Sequence, residues 1–360
     1  MDVSPFPHQG PLQPEEVRGR DQIVDELVER ATERRVTALL GPRRFGKTSV
    51  LRKVESVVTE GGANVIWIDF YETRSKADVV VRLDEALAAT RGPIRDALRS
   101  IASTLSLNLG VFKVQFAQKP SLRPDPDAAL HLILDVLVKA ALTHPTVVII
   151  DEFSSINQVE GVAGMLRTKL QHHVREIGLL FAGSEPTAMA SMFSLRDQPF
   201  YAQADLLNIE GFSPDSLAAI VREGFEATDR DPGDVVDGLH PVSEGHPYRA
   251  MQIADAAWRL CEPGQPAPDN LLASAFDLVR ANTESALETL FSSFAPSEQS
   301  VLRSLQAGRP LFGGSLELLG SSQGGIAAAR NRLIASGTIS RDLRIVDPLL
   351  ADWIRRRFPI

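Results

Sequence analysis

The 360-residue chain has a single cysteine, few aromatic residues (6%) and no long apolar run. One cysteine excludes an internal disulfide, and nothing around Cys261 suggests a metal or an activating base, so it reads as a buried thiol. No apolar stretch approaches the ~20 residues that span a bilayer, which argues against a membrane protein. The N-terminal stretch, residues 1–14, lacks the basic and apolar regions of a secretory signal, so a cytoplasmic location is expected. Positive charge is also in short supply. The net charge of -8 and pI near 5.5 argue against broad, non-specific nucleic-acid binding by the whole chain and leave room only for a local basic patch. No internal repeat or low-complexity tract occurs. What remains, 44% hydrophobic residues with ordinary glycine and proline counts, suffices for two or three domains with real cores.

The most informative stretch is Gly41-Pro42-Arg43-Arg44-Phe45-Gly46-Lys47-Thr48-Ser49. It fits the G-x-x-x-x-G-K-[ST] pattern and has an apolar strand candidate before it (36–40) and a helix after it (48–58). Gly41 and Gly46 permit backbone angles that let successive N–H groups converge on a phosphate at the helix N-terminus. Lys47 would then sit between β- and γ-phosphates, and the Thr48 hydroxyl would take one position around a hydrated Mg²⁺. A plain glycine turn with an exposed lysine is the competing reading.

A second motif tips the balance. Residues 146–150 are a β-branched run ending in Asp151-Glu152, and ligands of open α/β sheets gather beyond the carboxyl ends of the strands. Asp151 could hold the Mg²⁺ through its water shell, and Glu152 could orient and partly deprotonate an attacking water. The alternative is an acidic helix cap.

Other elements fall around these two. An amphipathic helix at 21–34 is placed to cover a base, or is a simple N-terminal cap. Residues 1–15 read as an extended lead-in, 64–70 as a second strand, and 76–89 and 127–142 as helices. The alternation of Leu105, Leu107, Leu109 and Val111 predicts a β-hairpin insertion at about 104–117. A strand at 179–184 ends in Ser184, which either bonds a γ-phosphate or water, or starts a turn; 206–209 is the fifth strand. His172 and His173 lie on a helix (164–174) without ligand partners and read as a solvated face.

From 213 onward the pattern is helical, with helices expected at 213–225, 232–239, 246–260 and 270–290. The turn Gly245-His246-Pro247-Tyr248-Arg249 is stiff enough to lie against adenine or ribose, with an ordinary helix start as the alternative. Residues from 296 predict helices at 297–306, 316–319 and 323–336, short strands at 338–340 and 343–346, and a closing helix at 348–357. That is a winged-helix pattern, in which Arg330, Arg332, Arg341 and Arg344 are where DNA contacts would fall. Such modules also serve as protein-contact surfaces.

With these motifs in place, the chain resembles the archaeal-type ATPases of the STAND branch of AAA+ proteins, related to the origin-recognition initiators. The resemblance rests on Gly19-Arg20-Asp21, residues 41–49, Ile150-Asp151-Glu152-Phe153, Ala182-Gly183-Ser184, Gly245-His246-Pro247-Tyr248 and Val346-Asp347-Pro348-Leu349-Leu350. It implies an α/β fold: a three-layer P-loop NTPase core with a parallel five-stranded sheet of order 5-1-4-3-2 (1–211), a helical lid (212–291) and a C-terminal winged helix (292–360). ATP and Mg²⁺ are the implied cofactors. Gly41 to Ser49, Arg20 and Pro247 are the implied nucleotide contacts, Thr48 and Asp151 the metal ligands, and Lys47, Glu152 and Ser184 the catalytic set. The resemblance further implies ATP-dependent opening and closing, with self-association or a protein partner. Relatives often carry an arginine where this chain has Gln203, and an arginine there can act on a γ-phosphate, so slow hydrolysis is expected here. Arg196 stands nearby in sequence. A DNA-binding regulator licensed by ATP, and a scaffold that holds nucleotide without cycling, are the rival expectations.

Overall fold

A computed structural model describes residues 3–119, 121, 123–311 and 323–359. The chain divides into two compact units, one comprising Arg20–Gly41 and Lys47–Ile209, the other Met1–Gly19, Pro42–Gly46 and Glu210–Ile360.

The first unit is built on five parallel strands, β1 (Thr37–Leu40), β2 (Asn64–Asp69), β3 (Thr146–Asp151), β4 (Gly178–Gly183) and β5 (Asp205–Asn208), in the order β2-β3-β4-β1-β5. This is the expected 5-1-4-3-2 order. β3 and β4 are buried along their whole length, which is why they read as unbroken apolar runs rather than as alternating ones. On one face lie α1 (Asp21–Thr32) and α2 (Lys47–Glu60), packed on each other. On the other lie α3 (Lys76–Ala89), α4 (Ile94–Thr104), α5 (Phe112–Phe116), α6 (Pro126–Ala141) and α7 (Val162–Leu170). There Ile66, Ile68, Val148, Ile150, Leu179 and Phe181 join a single apolar core. Helix α8 (Pro186–Ser194) follows β4.

The expected hairpin at 104–117 is not formed. The segment holds the last turn of α4, a turn with positive φ at Ser106 and Gly110, and α5. The buried Asp84 explains this, because its carboxylate accepts hydrogen bonds from the N–H groups of Gly110 (2.7 Å) and Phe112 (3.0 Å). Donors held that way cannot enter a strand ladder, and the alternating leucines mark successive turns instead.

The second unit is helical. It contains α9 (Pro214–Glu226), α10 (Val235–Ser243), α11 (Pro247–Leu260), α12 (Leu271–Ser293), α13 (Pro296–Gln306), α14 (Gln323–Ala335) and α15 (Pro348–Arg357), joined by one apolar core. The lead-in at 1–15 is not peripheral, because Phe6 is fully buried against Phe225, their ring centroids 5.5 Å apart. The two short strands expected near 338–346 reduce to a single antiparallel bridge, Ile339 to Ile345, since the connecting turn leaves no length for a ladder. The expected helix at 316–319 lies outside the described residues. No helix among the described residues is long and apolar enough to cross a membrane.

Candidate functional site

In the first unit the sheet delivers the charged groups to one end. β1 runs into Gly41, and α2 begins at Lys47. Gly41 is glycine for space rather than for backbone angle, since a Cβ there would lie 2.3 Å from the Ile209 side chain beyond β5. Gly46 is the residue that needs its freedom, with φ at +86°. The buried Lys47 Nζ donates to Gly41 O at 2.7 Å and so spans the loop from end to start. Ser49 is buried, while Arg43 is exposed.

β3 and α2 then meet: Thr48 Oγ1 donates to Asp151 Oδ2 at 2.7 Å. Burial pushes the Asp151 carboxyl up from its ordinary range, opposed by the hydrogen bonds from Thr48 and from the Glu152 N–H and assisted by the charges of Glu152 and Asp69. A hydroxyl and a desolvated carboxylate in hydrogen-bond contact form a hard oxygen pair that a divalent cation would relieve of its unfavourable charge burial. The residues present therefore fit a hydrated Mg²⁺.

Glu152 adopts left-handed backbone angles (φ 49°, ψ 39°), a conformation that costs a non-glycine residue on the order of 1 kcal/mol and needs a structural reason. Its carboxylate supplies one. Ser184 at the end of β4 donates to Glu152 Oε2 through its Oγ (2.8 Å) and its N–H (3.3 Å). Ser184 is thus brought to the acid pair, where it holds Glu152. Behind them Phe153, Phe181, Phe193 and Phe200 form a ring cluster with neighbouring centroids 4.5–5.9 Å apart, fixing the segment that carries Gln203. Arg196 is exposed. Arg20 is the N-cap of α1 and is half-buried, which pushes its guanidinium down to about 10. Asp69, level with Asp151 across the β2–β3 pair, went unnoticed in the sequence; the usable signal is that both strands end in an aspartate.

In the second unit the tip of the phosphate loop, Pro42–Gly46, packs with the turn before α11. Phe45 meets His246 edge-on at 4.9 Å, and the Arg44 guanidinium lies 4.4 Å from the centre of the Tyr248 ring. Arg44 has positive φ (66°). The turn itself is held by close backbone approach: Phe212 N donates to Gly245 O at 2.8 Å, and a Cβ on Gly245 would lie 2.4 Å from Phe212 O. Pro247 is buried at the first position of α11. His246 is buried with no partner for Nδ1 among the described residues, and its pKa falls to about 4. Burial is the main cause, with Arg249 and Arg44 adding to it and Asp347 opposing.

One turn further on, Arg249 makes a two-pronged ion pair with Asp347, Nε to Oδ1 at 2.9 Å and Nη2 to Oδ2 at 2.6 Å. Asp347 also caps α15 by accepting from Leu349 N. Burial alone would raise the Asp347 carboxyl, but Arg249 overrides it and holds the group below the usual carboxylate range. Of the arginines expected to meet DNA, Arg332 is ion-paired with Glu298 (2.7 Å) and Arg344 with Asp342 (2.6 Å), while Arg330 donates to Asn331 Oδ1. His173 pairs with the exposed Glu176, and no group of three or more His, Cys, Asp and Glu placed to hold a metal occurs among the described residues.

The sequence matches no protein-family model and no curated protein. Solved structures do match over nearly the whole chain. The Walker-type ATPase PABY2304 of Pyrococcus abyssi superposes with a TM-score of 0.68 at 17% identity, covering 98% of this chain and 99% of its own. The chain has the fold of the archaeal Walker-type ATPases. The Aeropyrum pernix ORC2 protein, solved in ADPNP–ADP complexes, gives a TM-score of 0.60 at 18% identity over 98% of this chain and 95% of its own. The ORC1 protein of the same organism, solved in complex with DNA, gives 0.52 at 14% identity, covering 98% of this chain and 94% of that one.

Proposed function

We propose that the protein binds ATP and hydrolyses it slowly, using the cycle as a conformational switch. The observation that carries this reading is the bonded set at the sheet's carboxyl end: Lys47 across the loop, Thr48 on Asp151, and Ser184 on Glu152. In the nucleotide complex Lys47 exchanges Gly41 O for phosphate oxygens, aided by the N–H groups of residues 41–49. Arg20 and Pro247 are further nucleotide contacts in this reading. Thr48 and Asp151 would hold Mg²⁺, which would supply positive charge against the phosphates. Both Ser184 donors engage Oε2 of Glu152, which leaves Oε1 to orient the attacking water and take its proton as the bond between the γ-phosphorus and the bridging oxygen breaks. Gln203 in place of an arginine accounts for slow turnover.

The switch reading is supported by the second unit, where contacts run from Phe45 to His246 and from Arg249 to Asp347 at the head of the last helix. A change at the loop tip can reach the lid (212–291) and the terminal winged-helix module (292–360) by packed groups alone, provided ATP binds the two states unequally. Self-association or a protein partner would be the recipient. Duplex DNA is the second reading, favoured by the likeness to the ORC1 protein solved with DNA and weakened by the engagement of Arg332 and Arg344 with acids.

ATP turnover with Mg²⁺, measured for the wild type and Glu152→Gln over a range of protein concentrations, tests the proposal. Slow wild-type turnover that the variant loses while keeping ATP affinity is the expected result. Equal turnover in both would refute the role of Glu152.

A further inference from the structure

The two edges of the sheet are finished differently. At β5 the outer edge carries charge: Asp205 is held by Arg30 (3.0 Å) and Arg35 (2.6 Å), the kind of ion-paired rim that discourages a further strand. β2 has no such guard. Asn64 N donates to Pro145 O and Phe70 N to Asp151 O, so the even-numbered residues make the ladder to β3. In a parallel ladder the odd-numbered residues then turn their N–H and C=O groups the other way. Val65 and Trp67 therefore present backbone donors and acceptors to an edge that no strand covers among the described residues.

A groove of about 670 Å³ runs along this edge. Its two walls come from opposite faces of the sheet and differ in chemistry. The α2 wall carries Arg52 and Glu55, ion-paired at 2.8 Å, with the Arg52 guanidinium also stacked 3.8 Å from the centre of the Trp67 ring. The α3 wall is small and apolar, formed by Ala86, Ala89 and Pro93, with Arg91 exposed on the rim. An extended chain laid in the groove would satisfy the outward backbone groups of Val65 and Trp67, and its alternate side chains would meet the two walls in turn.

We propose that this edge is a docking site for an extended segment of a partner protein, in which acidic residues alternate with small apolar ones. The acidic side chains lie over Arg52, in exchange for its Glu55 partner, and the apolar side chains lie on Ala86 and Ala89. This surface belongs to the first unit alone and stands whether or not the nucleotide reading holds.

The probe is the peptide acetyl-Glu-Val-Glu-Val-Glu-Val-amide, titrated into the full chain and followed by amide NMR and hydrogen exchange. The Val65 and Trp67 amides should shift and exchange at least about tenfold more slowly at saturation, while the Ile66 amide, already bonded to β3, stays as it was. A lysine-for-glutamate peptide should bind at least about tenfold more weakly, and Arg52→Glu should reverse that preference. A peptide N-methylated at alternate residues should lose binding. Val65→Pro, which removes an outward N–H without touching the β3 ladder, should do the same. Undiminished binding of the N-methylated peptide, binding indifferent to charge, or no protection of Val65 and Trp67 would overturn the proposal. So would edge amides protected in the free chain in proportion to its concentration, because the occupant would then be a second copy.

Discussion

The carboxyl end of the sheet and the turn at Gly245-His246-Pro247 hold their charged groups in opposite ways. At the sheet each carboxylate accepts from one hydroxyl and one backbone N–H, Asp151 from Thr48 and the Glu152 amide, Glu152 from both donors of Ser184, and Lys47 donates to the Gly41 carbonyl. Such bonds each contribute about 1 kcal/mol and exchange readily for a phosphate, a cation or a water. At the turn, Arg249 and Asp347 are locked by a two-pronged ion pair in a desolvated setting, and His246 is buried uncharged. Removing one partner of a buried pair typically costs about 3–5 kcal/mol, because the other charge is left uncompensated. On the proposed function, the first arrangement suits groups that would exchange partners during turnover, and the second suits a part that would move as a piece.

Substitutions at the two places should therefore fail differently. Glu152→Gln should lower turnover by about 10²–10⁴-fold with little change in unfolding midpoint, the range that general-base catalysis supplies. An unfolding midpoint that falls in parallel would assign Glu152 a structural role instead. Arg249→Ala should destabilise the chain by about 3–5 kcal/mol in denaturant titration. Restoring balance with Arg249→Met in an Asp347→Leu background should recover much of that loss, whereas an additive loss would mean that the pair is not the cause.

His246 gives the comparison a pH axis. Its folded pKa of about 4 lies below the ordinary histidine value of 6.5, so as pH falls the unfolded chain takes up this proton first. The stabilisation from keeping it neutral is complete above 6.5 and is lost progressively as pH drops from 6.5 to 4, by roughly 3 kcal/mol. His246→Gln should flatten stability across that window; an unchanged acid slope would place the effect elsewhere. The depressed Asp347 acts lower, below its ordinary value of 3.8, so the two can be separated. The smallest effect belongs to Ser184→Ala, which should reduce turnover by about tenfold or less by freeing Glu152, with ATP affinity unchanged.

Much of the sheet was legible because its strands are short, apolar and buried on both faces, and because the phosphate loop and Asp151-Glu152 are contiguous motifs. Two failures have physical causes. The leucines at 105, 107 and 109 alternate like a strand, yet Asp84, more than twenty residues earlier, claims the amides that a hairpin would need. No local pattern reports such a bond. Helix α4 lies in a stretch that no expectation from the sequence covers, although Ile94, Leu98 and Ala102 recur at helical spacing. The ion pair between Arg249 and Asp347 joins residues 98 apart, each of which reads locally as a helix-start residue. The contact of Arg44 with Tyr248 likewise needs the fold, although the motif supplied both residues.

The most direct test of the account is ATP binding by calorimetry, with Mg²⁺, to the wild type and to Lys47→Ala. The account predicts saturable binding to the wild type and at least a hundredfold weaker binding to the variant, a difference of about 2.7 kcal/mol. Equal affinity in the two proteins would contradict it, since the loop could not then be what holds the phosphates.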